Sequence, residues 1–291
     1  MLTPYINIRT KEDVIPLLED NKFVLSLCEN LIFLMNRSIS PNGNDYICCS
    51  RTYAPILGLY VKIYKFWKEC LNVYKRGGIA VYIAYGRILY EAYIKMLYLI
   101  FNGINALDEF RLVSYKNRIS AYKKTNNYSD GADIVRNVKF LKDLEADGFT
   151  INDIKSAHPR TFKSIQEIVE STYTKEEKDI LYTVIYGFSS DAIHSDWGEL
   201  RQIHLNDTGD GMMTPNIDEI IYNHFRIILP MADIVSQAIQ VFIPIINETK
   251  EIIIAGDSIV TMAEDIQRVI RLVFEHVADE YEKNPDVFLQ K

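Results

Sequence analysis

The stretch Val81–Phe101 reads VYIAYGRILYEAYIKMLYLIF, and its reading decides the fold. It is apolar and aromatic almost throughout, yet Arg87, Glu91 and Lys95 recur at steps of four. On an α-helix that spacing stacks the three charges along one face, while large apolar side chains cover the others. A helix apolar on most sides lies in the middle of a bundle. An arginine and a glutamate on such a helix must find partners, because an unpaired buried charge is very costly. A second stretch, YGFSSDAIHSDW from Tyr186 to Trp197, offers them, with Ser190 and His194 again four apart. Together the two stretches predict an all-α protein with one polar pocket.

The first stretch is long enough to span a bilayer. Its three central charges would each cost about 2.5–3.5 kcal/mol on insertion, which argues against a membrane span. The apolar run Ile227–Ile246 is interrupted by Pro230, Asp233, Gln237, Gln240 and Pro244, which argues against a span there too. The opening MLTPYINIRTKEDV has no apolar core of a secretory signal. The expectation is a cytoplasmic protein with no membrane partner.

Composition narrows the function classes. With 48% hydrophobic and 24% charged residues over 291 positions, the chain falls in the ordinary globular range and can bury a core. A formal net charge of −7 leaves no global basic field to collect nucleic acid. A local basic groove stays open, since Lys116, Arg118, Lys123 and Lys124 cluster in one segment; the plainer reading is a solvated helix face. The cysteines, Cys28, Cys48, Cys49 and Cys70, form no CxxC pair and read as free thiols of a reducing compartment.

Taken in order, Thr10 with Asp13 predicts a helix start, with one helix over Lys11–Asn36 and Pro16 near its first turn. A loop follows over Ser38–Arg51, then a helix over Tyr53–Tyr74 closed by Gly77 and Gly78. After the central helix, a break at Asn102-Gly103 leads into a helix over Ala106–Lys124, and an exposed helix covers Ala132–Ala146. Pro159 predicts a new helix around Thr161, and the TKEE pattern at Thr174 opens one reaching about Trp197. HLNDTGDGMMTPN, from His204, reads as loop, and Ile217 stands where a calcium loop needs its glutamate. Asn216 with Glu219 opens a long helix to about Ile246, kinked at Pro230 and Pro244, and the last amphipathic helix covers Ile259–Glu282. The expected organisation is one helical domain over 1–255, with the helix of 256–291 packed on it or used for association.

The candidate chemistry lies in Arg87, Glu91, Ser190, Asp191 and His194. Histidine exchanges protons near neutral pH, and arginine offers a planar fork to a phosphate. A His and an Arg in one pocket suffice for RNA cleavage without metal: the 2′-hydroxyl attacks, His moves protons and Arg steadies the charged phosphorane. Tyr90, Tyr186 and Asp191 are the candidate substrate-binding residues. The same residues also read as a plain structural network that fixes helix register. No ExxH or HExxH spacing supports a metal, and no phosphate-binding glycine loop is present, so neither metal nor cofactor is expected.

The pair RILYEAYIKMLYL and YGFSSDAIHSDW, about 100 residues apart, resembles the signature of a bacterial domain-of-unknown-function family, DUF5677. The pattern is an Arg-x-x-x-Glu helix, here Arg87 and Glu91, and a later Tyr-x-x-x-Ser-x-x-x-His helix, here Tyr186, Ser190 and His194. The resemblance covers roughly residues 50–200. More distantly, the second stretch is similar to the last helix of the HEPN superfamily, helical proteins that include many toxin and antiviral ribonucleases. Their arginine precedes the histidine on the same helix; here Ser189 stands five before His194, so the arginine would have to be Arg87. What this resemblance implies is a HEPN-like bundle of up-and-down helices with extra terminal helices. It also implies a metal-independent ribonuclease of a defence or toxin system, with His194 as general acid/base, Arg87 as phosphate ligand and Glu91 as orienter. The other reading is a non-catalytic interaction or sensor module in which these residues latch the helices. Under either, RNA, a second copy or another protein is the expected partner.

Overall fold

A computed structural model of the chain describes residues 5–18, 22–43, 45–125, 131–156, 162–178, 197, 200–209, 212–216, 227–248 and 257–283. The described residues are overwhelmingly helical, with one two-stranded sheet, as the all-α reading predicts. The helices are α1 (Lys11–Val14), α2 (Lys22–Ile39), α3 (Ala54–Arg76), α4 (Ile79–Thr125), α5 (Gly131–Ala146), α6 (Ile151–Ser156), α7 (Ile165–Thr172), α8 (Lys175–Lys178), α9 (Leu229–Glu248) and α10 (Asp257–Lys283). Two compact units divide the chain: one of Met1–Cys48, Leu59–Tyr93 and Thr174–Lys291, the other of Cys49–Gly58 and Ile94–Tyr173.

In the first unit, α9 and α10 pack on each other and both meet α2. Ile234, Val235, Ala238, Ile239 and Phe242 of α9 and Ala263, Ile266, Val269, Ile270 and Val273 of α10 are all buried. Each large aliphatic side chain taken from water contributes roughly 1.5–3 kcal/mol. The apolar face of α10, Ala263 to Val277, is thus covered within the unit. Phe242 stacks on Tyr60 of α3 with ring centroids 3.7 Å apart, and the Tyr60 hydroxyl bonds Ser38 of α2 at 2.7 Å. Trp67 donates its indole N–H to the Cys28 carbonyl at 3.3 Å. Lys11 reaches Asp279 of α10 at 2.6 Å, and Arg268 donates to the carbonyls of Ile8 and Tyr5. Among the described residues, α9 alone is long and apolar enough to cross a membrane by length and composition, and most of it is buried against other helices.

The second unit has its own core of Tyr115, Ile119, Phe140, Leu144 and Ile154. Phe162 lies edge-on to Tyr98 and Phe110, which fixes residues 162–164 ahead of α7. Arg51 pairs with Asp147 at 2.6 Å, tying the segment Cys49–Gly58 to the end of α5.

The chain-end chemistry explains most boundaries. Gly77, at φ 85°, and Gly78 donate to Tyr74 and Val73 at 3.1 and 3.2 Å, a Schellman closure of α3. Gly103, at φ 67° and ψ −154°, occupies a region open essentially to glycine alone and breaks α4 where Asn102-Gly103 predicted it.

Four expectations need correction. The helix over Lys11–Asn36 is divided: α1 ends at Val14, Ile15–Leu17 form a 3-10 turn around Pro16, and α2 starts at Lys22. Proline has no N–H to continue the helical ladder. Of the long helix expected from Asn216 to Ile246, residues 217–226 lie outside the described residues, and Ile227 and Ile228 are not α-helical; α9 begins at Leu229 with Pro230 in its first turn, where proline is tolerated, and Pro244 does lie inside the helix. The helix after Pro159 starts at Ile165, capped by Ser164 and Glu167, rather than near Thr161. The loop-like stretch after His204 contains a hairpin, β1 (Leu205–Asp207) antiparallel to β2 (Met213–Pro215), with Asn206 opposite Thr214.

Candidate functional site

The site grows from the first half of α4, in the first unit. Arg87 and Glu91 stand one turn apart, as their spacing requires, and the Arg87 Nε donates to the Glu91 Oε1 at 3.2 Å. The Arg87 side chain is 11% exposed and that of Glu91 30%, so the arginine is nearly covered while the carboxylate still reaches solvent. Arginine before glutamate is the less favourable order for an isolated helix pair, so burial of the guanidinium, not helix propensity, gives the contact its weight. Tyr90 is fully buried beside them and Lys95 is half-buried. The bond at Nε fixes the plane of the guanidinium, whose planar fork is the shape that matches a phosphate or carboxylate.

Two features hold this turn of α4 in place. Gly86, the residue before Arg87, faces Met231 of α9, whose Sδ would lie 3.3 Å from a β-carbon added there. Tyr93, two residues after Glu91, donates to the Gln237 Oε1 at 2.8 Å. The Gln237 amide donates in turn to Asp233 at 2.6 Å, the Gln267 amide to the other Asp233 oxygen at 2.9 Å, and Gln240 to the Gln267 Oε1 at 3.0 Å. This network ties α4, α9 and α10 together. In the sequence Asp233, Gln237 and Gln240 read only as interruptions of an apolar run. Their spacing of four and three is the helical signal of a polar stripe, and it marked the network.

Of the residues expected at the site, Arg87, Glu91 and Tyr90 are among those described, and the first two are in contact. Tyr186, Ser190, Asp191 and His194 lie outside the described residues. His204 is exposed, and the described residues contain no group of three His, Cys, Asp or Glu able to hold a metal ion. Cys28 and Cys70 are buried free thiols; burial pushes the Cys28 thiol up, and that of Cys70 up to about 12, so neither is a ready nucleophile.

A family model described as "Family of unknown function (DUF5677)" matches residues 53–212, more than half the chain. The matched span contains both Arg87 and Glu91 and the stretch from Tyr186 to His194. No curated protein and no solved structure matches the chain.

Proposed function

The chain belongs to the DUF5677 family, and from that premise we propose that it is a HEPN-like, metal-independent endoribonuclease of a bacterial defence or toxin system. The observation that carries the reading is the Arg87–Glu91 pair: a guanidinium covered on most sides and oriented by a carboxylate that still reaches solvent. Such a group stabilises charge that develops on a phosphoryl oxygen better than a solvated one, because little reorganisation is needed. In the proposed reaction His194 takes the proton of the RNA 2′-hydroxyl. The O2′–P bond forms as the P–O5′ bond breaks, and the leaving oxygen receives a proton, leaving a 2′,3′-cyclic phosphate. Arg87 holds the non-bridging oxygens, Glu91 orients Arg87, and Ser190, Tyr186 and Asp191 contact the substrate, while Tyr90, expected among the substrate contacts, is fully buried and does not reach it. The proposal includes a cytoplasmic location and a second copy or another protein as partner.

A second reading is favoured by the burial of Arg87 itself: a covered ion pair on a central helix also serves as a latch that sets helix register. His194→Ala separates the two. Under the first reading it abolishes formation of cyclic-phosphate ends and leaves thermal stability nearly intact. Under the second there is no cleavage to lose, and the substitution lowers stability by about 1–3 kcal/mol.

A further inference from the structure

Charge is divided unevenly along the chain. The unit of Cys49–Gly58 and Ile94–Tyr173 holds thirteen lysines and arginines against ten aspartates and glutamates, a net +3. The whole chain carries −7, so the other unit carries −10. At physiological ionic strength charges are screened beyond about 8 Å, so a local cluster acts on what touches it, whatever the distant total.

Within the basic unit several carboxylates are engaged locally. Asp108 pairs with Arg111 at 2.6 Å, Asp143 with Arg118 at 3.6 Å and Asp147 with Arg51 at 2.6 Å. Asp153 and Glu167 bond the backbone N–H groups of Thr150 and Ser164 at helix starts, both at 2.7 Å. Lys123, Lys124, Lys139 and Lys142, by contrast, are all exposed and have no ion pair among the described residues.

The four lysines are also brought together by the fold. The rings of Tyr122 and Phe140 lie 5.4 Å apart, and Arg118 meets Asp143 one turn further along. These contacts set the last turns of α4 beside the middle of α5, so Lys123 and Lys124 stand level with Lys139, and Lys142 follows three residues on. Cations in a last turn also complement the helix dipole, which accounts for Lys123 and Lys124. It does not account for Lys139 and Lys142, which lie in the body of α5.

We propose that this helical hairpin, α4 after Gly103 with α5, binds the phosphodiester backbone of RNA through Lys123, Lys124, Lys139 and Lys142. The choice of RNA among polyanions rests on the ribonuclease reading above. Lysines serve as point-charge phosphate contacts, and contacts of this kind position a strand without reading its sequence.

The test is fluorescence anisotropy of a labelled single-stranded RNA with the full chain carrying His194→Ala, which prevents cleavage, between 50 and 200 mM KCl. The comparison adds Lys123→Gln, Lys124→Gln, Lys139→Gln and Lys142→Gln, all at exposed positions that leave the packed core untouched. The expected result is at least a tenfold weaker affinity, with the log–log salt slope reduced by about 3 for four single-strand contacts. Unchanged affinity and slope overturn the proposal, as does the absence of RNA binding at 50 mM KCl. Polyglutamate that displaces RNA equally well, charge for charge, also overturns it and points to an acidic protein segment. The two readings fail separately. A wild type that cleaves RNA with kcat/KM unaffected by the four substitutions removes the hairpin and keeps the nuclease. Lysine-dependent binding by a wild type that cleaves nothing does the reverse.

Discussion

The Arg87 Nε donates to the Glu91 Oε1 at 3.2 Å, across one turn of α4. Breaking such a pair from one side costs more than the pair contributes, because the remaining charge stays covered. A fully buried pair loses about 3–5 kcal/mol in this way; with Glu91 30% exposed, Glu91→Ala is expected to cost about 1–2 kcal/mol in urea unfolding. Arg87→Met with Glu91→Met should recover most of that loss, giving strong coupling in a double-mutant cycle. Additive losses would mean that the two side chains do not support each other.

At Gly86 two effects oppose. Alanine gains about 1 kcal/mol of helix propensity, while its β-carbon would meet Met231 Sδ at 3.3 Å. The methionine is flexible and can yield, so Gly86→Ala should fall within about 0.5 kcal/mol of the parent. Gly86→Val overpacks the same spot, with an expected loss of about 1–3 kcal/mol that Met231→Ala partly relieves. Equal stability of the alanine and valine variants would contradict the close approach.

Asp233 accepts from the amides of both Gln237 and Gln267. Asp233→Ala leaves two part-buried donors without their acceptor, for an expected loss of about 1–3 kcal/mol, whereas Asp233→Asn retains one acceptor oxygen and should cost less. Thermal melts of the two variants rank them directly. Because Gln237 also holds Tyr93, the proposed ribonuclease activity should fall with Asp233→Ala even where the protein remains folded.

Acid should weaken the helix starts. Backbone N–H bonds hold the Asp13 carboxyl below the usual carboxylate range, and likewise that of Glu167; for Asp153 the leading cause is the Thr150 hydroxyl. A carboxyl depressed in the folded state contributes stability above its unfolded pKa and loses it as pH falls through the folded value. Stability should therefore decline below about pH 4, and Glu167→Gln should flatten part of that decline. Urea midpoints between pH 5 and pH 2 measure it.

The central helix and its break were legible because their signals are local and strong: a long apolar run, charges at steps of four and a glycine at positive φ. The Arg87–Glu91 contact was legible for the same reason. Other features depend on what a residue meets rather than on its neighbours in sequence. Pro16 interrupts one periodic run while Pro244 is carried inside another, so the missing N–H alone does not decide the outcome, and strands of three residues are too short to display a period of two. The Asp233 network was hidden in a run dominated by its apolar residues, although its polar stripe had helical spacing. The half of the candidate site on Tyr186–His194 stays an expectation of the sequence, because it lies outside the described residues.

The most direct measurement is cleavage of a mixed RNA pool in EDTA by the wild type beside His194→Ala and Arg87→Ala, each shown to be folded by circular dichroism. The proposed mechanism predicts metal-independent cleavage to cyclic-phosphate ends, abolished by His194→Ala and reduced at least a hundredfold by Arg87→Ala, in line with loss of one oriented charge-stabilising donor. Cleavage that persists in the folded His194→Ala protein, or that requires a divalent cation, would contradict it.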